Sequence, residues 1–240
     1  MWVFIIIIVV ILVVVWVNSN PSNRVQGNSS KPKFPTVDES QLNDDLSSAV
    51  GIDYRALRNF LALGDFESAN KEIITIFTKL ISPMKKVGNI RNQIFYLDIG
   101  VDTEIYEDRV ERIPCTEICT MERLWVKYSS GHFGFRIQSE INLQLYTQFY
   151  EEIVEFNRKE KINMPEEEVH LRTVLKTQDA FKKQLKWDQD SLIFNHSAPS
   201  GHLPKILWVD SMTGYNHQVM LLNRVTKCCT LMGGTAVARE

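Results

Sequence analysis

The sequence predicts a mostly α-helical domain that follows an N-terminal membrane segment and a flexible tether. From residue 53 onward, apolar residues recur at the three- and four-residue spacing of amphipathic helices. Residues 2–17 are uniformly apolar, whereas residues 18–48 are rich in Asn, Ser, Pro, Lys and Asp and cannot bury enough apolar surface to offset the entropy of ordering. We therefore divide the chain into a membrane anchor, a disordered linker, a folded domain and a flexible tail, at residues 1–17, 18–48, 49–232 and 233–240.

Residues 2–17 (WVFIIIIVVILVVVWV) carry no charged side chain and have a tryptophan at each end, as membrane-interface anchors do. A helix of this length reaches about 24 Å, slightly less than a hydrocarbon core of roughly 30 Å. A cleaved signal peptide is the alternative, but no Lys or Arg precedes the run and no Ala-x-Ala site follows it. The sequence favours an uncleaved anchor, and the basic Arg24, Lys31 and Lys33 predict that the folded domain lies on the cytosolic or stromal side.

The charge balance argues against a nucleic-acid partner. The chain has 27 basic and 29 acidic side chains and a formal net charge of −2. Nucleic-acid binders usually carry a clear basic excess on one face. We therefore expect no nucleic acid among the partners.

Four cysteines, Cys115, Cys119, Cys228 and Cys229, are too few and too unevenly spaced to indicate a disulfide framework. We expect a reducing compartment and buried free thiols. A metal site formed by Cys115, Cys119 and His132 is the alternative, because residues four apart share a helix face. No CxxC motif or histidine pair completes a tetrahedral ligand set in the sequence.

Two helices and their ends are predicted between residues 53 and 81. The first carries Tyr54, Leu57 and Leu61 behind an Asp53 cap, and Gly64 and Asp65 end it and cap the next. The apolar stripe of the second helix consists of Phe66, Ala69, Ile73, Ile76, Phe77 and Leu80. Further on, the sequence predicts that Pro114 opens a helix whose inward face is formed by Ile118, Met121 and Trp125.

The stretch from Leu124 to Ile141 (LWVKYSSGHFGFRIQSEI) combines four aromatic rings with two glycines. Gly131 and Gly134 bracket His132 and Phe133, so the backbone can turn tightly or approach another segment closely there. Apolar and polar side chains then alternate after the turn. This pattern predicts a well-ordered, partly aromatic surface at the junction of two helices.

Four separated blocks of the chain are similar to the genomes-uncoupled-four family of tetrapyrrole-binding regulators of magnesium chelatase. The blocks are DYRALRNFLALGDFESANKEI from Asp53, IPCTEICTMERLWVKYSSGHFGF from Ile113, LIFNHSAPSGHLP from Leu192 and LLNRVTKC from Leu221. They occur in the order expected for the family and cover most of the chain between residues 53 and 228. The resemblance implies a compact helical tetrapyrrole-binding domain with a hydrophobic concave palm.

The resemblance also implies a non-enzymatic function. Such a protein binds protoporphyrin IX and magnesium protoporphyrin IX as ligands, requires no cofactor, and stimulates the large porphyrin-binding subunit of magnesium chelatase in chlorophyll synthesis. The implied location is the stromal side of a plastid membrane or the cytoplasmic or thylakoid membrane surface of a cyanobacterium. No catalytic triad, metal-ligand cluster or phosphate-binding glycine loop is visible in the sequence.

A porphyrin is a flat apolar disc with two propionates, so its site needs an apolar surface edged by cations or backbone donors. For the palm we nominate Val126, Phe135, Ile137 and Ile141, with Trp187 on a mobile flap. Each of these side chains could equally be a core residue. The cations available to the propionates are Lys127, Arg136 and Arg224.

His202 has two interpretations. It could be an axial ligand to a metalloporphyrin, or its imidazole could hydrogen-bond to the backbone and hold the GHLP loop, which the sequence favours. His132 and His196 are expected to be exposed.

Two departures from the family pattern leave alternatives open. Ser200 stands where members commonly have Arg, and the family's Gly-Trp segment is absent between Asn157 and Lys186. A scavenger or sensor that does not act on chelatase would fit these departures. So would an interaction module that has lost porphyrin binding.

Overall fold

The computed structural model describes residues 42–81, 103–206 and 212–231, all within one compact unit, Val37–Glu240. Within these ranges the regular structure consists of helices, with no strand. The prediction of a mostly α-helical fold is confirmed. The helices are α1 (Arg55–Ala62), α2 (Phe66–Ile81), α3 (Thr103–Glu111), α4 (Cys115–Tyr128), α5 (Phe135–Lys159), α6 (Glu166–Gln184) and α7 (Met212–Leu231).

Helices α1 and α2 are the two helices that the sequence predicts between residues 53 and 81, and they pack together as a hairpin. Gly64 adopts φ +70° between them, a left-handed conformation that glycine reaches without a Cβ penalty. The Asp65 carboxylate accepts the Ser68 N–H at 3.0 Å and so caps α2. The predicted apolar stripe of α2 faces the core, with Leu80 only half-buried.

Helix α4 packs against α1 and α7. Pro114 is its N-cap, and the predicted inward residues Ile118, Met121 and Trp125 are all fully buried. The Phe133 ring meets the Phe66 ring edge-on, with centroids 5.2 Å apart. Burial of this aromatic cluster joins the α1–α2 hairpin to the loop that follows α4.

Helices α5 and α6 pair along their lengths, and α5 also packs against α7. Of the eight large apolar residues that the described ranges leave exposed, seven lie between the start of α5 and the end of α6. They are Leu143, Tyr150, Val154, Phe156, Ile162, Leu171 and Leu175. This α5–α6 hairpin therefore presents an unusual amount of apolar surface.

The segment before α1 contacts the helical domain earlier than the sequence predicts. Asp44 binds Lys127 Nζ and Tyr128 Oη, each at 2.5 Å, and Thr120 Oγ1 donates to the Ser47 carbonyl at 3.0 Å. Residues 44–47 of the predicted linker therefore contact α4, and the boundary at residue 48 stays a prediction. These contacts depend on polar side chains that are distant in sequence, which composition alone does not register.

The membrane anchor predicted at residues 2–17 lies outside the described residues. Within 42–81, 103–206 and 212–231, no helix combines the length and the apolar content needed to cross a membrane. The predicted tail at residues 233–240 also lies outside the described residues.

The expectation of four free thiols is wrong for two of the cysteines. Cys115 and Cys228 form a disulfide between α4 and α7, across a sequence separation of 113 residues, while Cys119 and Cys229 are free. The alternative metal site also loses Cys115 to this bond, and the described residues contain no group of three or more side chains that could hold a metal ion. The pairing follows from the packing of α4 on α7, which cysteine spacing cannot reveal.

Reduction of the Cys115–Cys228 disulfide is expected to lower the free energy of unfolding by about 3–5 kcal/mol, because the bond restricts a long loop in the unfolded chain. Urea unfolding with and without dithiothreitol measures this difference. In a Cys119→Ser/Cys229→Ser background, which cannot form a second disulfide, the added changes Cys115→Ser/Cys228→Ser should give the lower stability in both buffers. An equal loss on adding dithiothreitol to that variant would contradict the assignment.

Candidate functional site

Two loops that are far apart in sequence meet at one place. The first loop, residues 129–134, joins α4 to α5, and the second loop, residues 198–204, lies between α6 and α7. Gly134 N–H donates to the Leu203 carbonyl at 3.0 Å, and Gly201 N–H donates to the His132 carbonyl at 2.9 Å. The two most distinctive sequence blocks therefore form one structural unit, which we call the paired loops.

The first loop is held in an unusual conformation by its own residues. Ser129 Oγ accepts the Phe133 N–H at 2.8 Å and donates to the Trp125 carbonyl at 2.7 Å. Gly134 adopts φ +143° and ψ +163° at the start of α5, a region of backbone space that is essentially restricted to glycine. Turn geometry and the glycine together direct the chain from α4 into α5.

A buried carboxylate holds the start of α5. Glu122 accepts the Phe135 N–H at 2.7 Å and the Arg136 N–H at 3.2 Å, which would otherwise be unpaired at the helix terminus. Burial raises the pKa of Glu122 to about 7, against the lowering effect of these two hydrogen bonds. Sequence reasoning missed this residue, although an acidic side chain next to the inward-facing Met121 is a visible signal.

Gln138 connects α5, the second loop and α7. Its Nε2 donates to the carbonyls of Gly201 at 2.9 Å and Pro204 at 2.8 Å, and its Oε1 accepts from Gln218 Nε2 at 3.0 Å. The side chain is fully buried. A buried amide with this set of partners fixes the distance between the three elements.

His202 fixes the second loop, as the favoured interpretation predicts. Its Nδ1 lies 2.5 Å from the Leu185 carbonyl, and its Nε2 lies 2.9 Å from the Ile193 backbone nitrogen. The Ile193 N–H must donate, so Nε2 is the acceptor and the proton resides on Nδ1. Burial lowers the pKa of His202. Both ring nitrogens are engaged, which leaves no lone pair for a metalloporphyrin in this conformation.

The palm residues lie beside the paired loops, mostly packed against other side chains. Ile137, Ile141 and Leu185 surround Gly201 so closely that an added Cβ would lie 3.2 Å from each. A Cβ added at Gly134 would likewise lie 3.1 Å from Val126 Cγ2. Ile137 and Val126 are half-buried, Ile141 is buried, and Phe135 is a core residue at 1% exposure.

Trp187 is placed differently from the predicted mobile flap. It is 2% exposed, its indole N–H donates to the His202 carbonyl at 2.8 Å, and its ring meets Phe181 edge-on at 5.6 Å. The side chain thus supports the second loop from inside. The polar end of the indole finds its partner through a tertiary contact, which the sequence does not show.

The three candidate cations are divided between two regions. Arg136 is exposed at the start of α5, 3.9 Å from Glu140, and Lys127 binds Asp44. Arg224 is largely buried and donates to the Ile113 carbonyl at 2.7 Å and to Glu111 Oε2 at 3.3 Å. Lys127 and Arg136 are both exposed, but Lys127 is held by a close ion pair with Asp44, so the guanidinium of Arg136 is the less engaged of the two.

His132 and His196 differ from the expectation of simple exposure. His132 is half-buried and its Nε2 lies 2.8 Å from the Ala198 carbonyl, which adds a further contact between the paired loops. His196 is exposed but its ring stacks on Phe133 with centroids 5.7 Å apart. Ser200 Oγ also donates to the His132 carbonyl at 3.2 Å. The residue that departs from the family pattern is thus part of the loop contact.

Asn70 is a second residue that sequence reasoning did not assign to the site. Its Oδ1 accepts the Lys205 N–H at 2.8 Å and its Nδ2 donates to the Lys205 carbonyl at 3.2 Å, which ties α2 to the end of the second loop. A cavity of about 140 Å³ lies there, lined partly by Asn70, Leu192 and Lys205. It is smaller than typical ligand pockets of about 300–1,000 Å³.

Comparison with known proteins identifies the family. The model of the family described as GUN4-like matches residues 47–220, which include both paired loops. The chain belongs to this GUN4-like family. The resemblance inferred from the four sequence blocks is therefore confirmed, and the family is associated with tetrapyrrole binding and regulation of magnesium chelatase.

Individual relatives of this GUN4-like chain are distant. A Ycf53-like protein from Synechocystis sp. is 30% identical over 159 residues, 66% of this chain. The chain spans about half, 53%, of that relative's length. GUN4 from Chlamydomonas reinhardtii is 24% identical with a TM-score of 0.47, covering 77% of this chain and 93% of that one. Ligand-free GUN4 from Arabidopsis thaliana is 17% identical with a TM-score of 0.46, covering 72% and 95%.

Proposed function

We propose that this GUN4-like protein is a non-catalytic tetrapyrrole-binding regulator that binds protoporphyrin IX and magnesium protoporphyrin IX and stimulates magnesium chelatase. The observation that carries the proposal is the family match across residues 47–220, which contain the paired loops and all eight candidate palm and cation residues except Arg224. The family is regulatory rather than catalytic.

The paired loops support binding by providing a rigid frame. Gln138, Glu122 and His202 fix the loops from inside, and Ile137 and Val126 remain half-exposed beside them. Arg136 is exposed in the first turn of α5, the helix that also carries Ile137, so its guanidinium is the candidate partner for a propionate. A disc with propionates at its edge requires this pairing of apolar and cationic groups. Because Phe135 and Trp187 are buried, a ligand reaches them only if neighbouring side chains move.

Stimulation of chelatase requires contact with its large porphyrin-binding subunit. A regulator raises turnover only through its different affinities for the states of the partner that hold substrate and product. The bound tetrapyrrole is a ligand in this proposal, and the protein needs no cofactor of its own.

Arg136→Gln is expected to weaken protoporphyrin IX binding by about three- to tenfold, as a partly solvated charged hydrogen bond is lost. Titration of the full chain, followed by quenching of tryptophan fluorescence, measures the dissociation constant. Arg158→Gln is the matched control, since Arg158 is also exposed on α5 and paired with a glutamate, Glu155. The proposal predicts saturable binding that only Arg136→Gln weakens. Absence of saturable quenching in the unmodified chain would overturn it.

A second candidate function, a protein-interaction module, is favoured by the exposed apolar residues of the α5–α6 hairpin. A groove of about 600 Å³ lies along the hairpin, lined in part by Ile153, Phe156, Met164 and Leu175. Binding of the chelatase subunit without any binding of tetrapyrrole would support this candidate. Phe156→Glu should then abolish the interaction, whereas the same change should leave tetrapyrrole binding intact under the first proposal.

We also propose that residues 1–17 attach the protein to a plastid or cyanobacterial membrane, on the stromal or cytoplasmic side. Attachment would raise the local concentration of the protein near a hydrophobic porphyrin in the membrane. A variant that lacks residues 1–41 keeps the Asp44 contacts with α4 and tests the anchor. The shortened protein should no longer be found in the membrane fraction, and its affinity for tetrapyrrole should be unchanged. Continued sedimentation with membranes would contradict the anchor.

A further inference from the structure

Two free thiols lie against each other beside the Cys115–Cys228 disulfide. Cys119 Sγ on α4 is 2.7 Å from Cys229 Sγ on α7, and a disulfide bond requires about 2.05 Å. The helices that would have to approach are already joined by the neighbouring disulfide. Cys229 is half-buried and Cys119 is 6% exposed, so the pair lies near the protein surface.

We propose that Cys119 and Cys229 are a redox modification site that forms a second, reversible disulfide between α4 and α7. The oxidant is a low-molecular-weight or protein disulfide. One thiolate of the pair displaces a thiol from the oxidant and forms a mixed disulfide. The other thiolate attacks the cysteine sulfur of that mixed disulfide and releases the second thiol. Two electrons pass to the oxidant, whose two sulfurs leave as thiols with the two protons of the pair.

The electrostatic surroundings suit this chemistry. Hydrogen bonding from Cys229 lowers the pKa of Cys119, and the nearby Arg123 guanidinium lowers it further. The same contact raises the pKa of Cys229, which therefore holds the shared proton. Because the thiolate is the attacking species in disulfide exchange, this arrangement provides one activated sulfur next to one resolving sulfur.

The new bond would act on a helix that also supports the paired loops. Cys119 lies one helical turn before Glu122, whose carboxylate caps α5. Since the first disulfide already closes the long loop, the second adds a short closure, and the change in unfolding temperature should be small. The number of free thiols is therefore the informative measurement.

The experiment equilibrates the full chain in glutathione buffers of increasing oxidised fraction, alkylates it under denaturing conditions and measures the intact mass. We expect four modified thiols after strong reduction, two in buffers with an intermediate fraction of oxidised glutathione and none in the most oxidising buffer. Cys119→Ser/Cys229→Ser is the matched control and should never show more than two. If the unmodified protein keeps two modifiable thiols in every oxidising buffer, the proposal is overturned.

Pairing must be assigned separately, because trypsin leaves Cys115 with Cys119 on one peptide and Cys228 with Cys229 on another. The variant Cys115→Ser/Cys228→Ser removes this ambiguity and should still form one intramolecular disulfide. In the unmodified protein, electron-transfer fragmentation of the linked peptides should show Cys119 joined to Cys229. Pairing within either peptide would contradict the proposal.

Discussion

Gly134→Ala is expected to lower the free energy of unfolding by about 3–5 kcal/mol. About 1–3 kcal/mol comes from placing a side chain in a backbone region that only glycine normally occupies. The rest comes from overpacking, because the new Cβ would lie 3.0 Å from Glu122 Oε1 and 3.1 Å from Val126 Cγ2. Relief of the contact with Glu122 would displace the carboxylate that caps α5.

Urea unfolding measures this loss, and Gly131→Ala is the matched control in the same loop. Gly131 adopts φ +75°, but an added Cβ would meet no atom within 4 Å. The control should therefore lose about 1 kcal/mol, the cost of a left-handed conformation for alanine. Equal losses in the two variants would show that contact with Glu122 has no energetic consequence.

His202→Ala is expected to lower the free energy of unfolding by about 2–4 kcal/mol. The change leaves the Leu185 carbonyl and the Ile193 N–H without their partner and opens a cavity at a fully buried position. His196→Ala is the matched control, because His196 is exposed and near the same loops. The control should lose less than about 1 kcal/mol. A comparable loss in both would contradict the loop-fixing role of His202.

The stabilisation due to His202 should also depend on pH. Burial lowers the pKa of His202 in the folded protein below its usual value of 6.5, so below pH 6.5 the unfolded chain binds a proton that the folded chain excludes. Stability is therefore present above pH 6.5 and is lost as pH falls through the lowered folded-state value. The difference in unfolding free energy between the unmodified protein and His202→Ala should shrink between pH 7.5 and 5.5. A constant difference would contradict the buried neutral imidazole.

Comparing the unfolding free energies of the two proteins at each pH also removes the opposing pH dependence that is due to Glu122. Burial raises the pKa of Glu122 in the folded state to about 7 from its usual value of 4.5. Its contribution to stability is therefore full below pH 4.5 and is lost as pH rises through about 7. Both proteins carry Glu122, so its effect cancels in the comparison.

Local features of the fold could be predicted from the sequence because they depend on near neighbours. Residue type at a helix end predicts the turn at Gly64 and the cap by Asp65. Spacing within a single helix predicts that Ile118 and Met121 face inward. The family resemblance likewise depends on local blocks. Each block carries its own pattern of residues, so it can be identified without knowing its tertiary partner.

Features that depend on tertiary contacts could not be predicted in the same way. The indole of Trp187 has a buried partner in the His202 carbonyl, so in this structure the side chain supports the second loop from inside. Cys115 finds Cys228 only because α4 packs on α7. Gln138 and Glu122 are polar residues whose importance comes from backbone groups on other elements. Residue type and spacing do not specify these partners.

Magnesium chelatase turnover, measured at limiting protoporphyrin IX with and without the full chain, tests the regulatory function most directly. The account predicts faster formation of magnesium protoporphyrin IX with the unmodified chain. The increase should be smaller with Arg136→Gln and unchanged with Arg158→Gln. Unchanged turnover despite saturable tetrapyrrole binding would contradict the regulatory function and identify the protein as a tetrapyrrole scavenger or sensor.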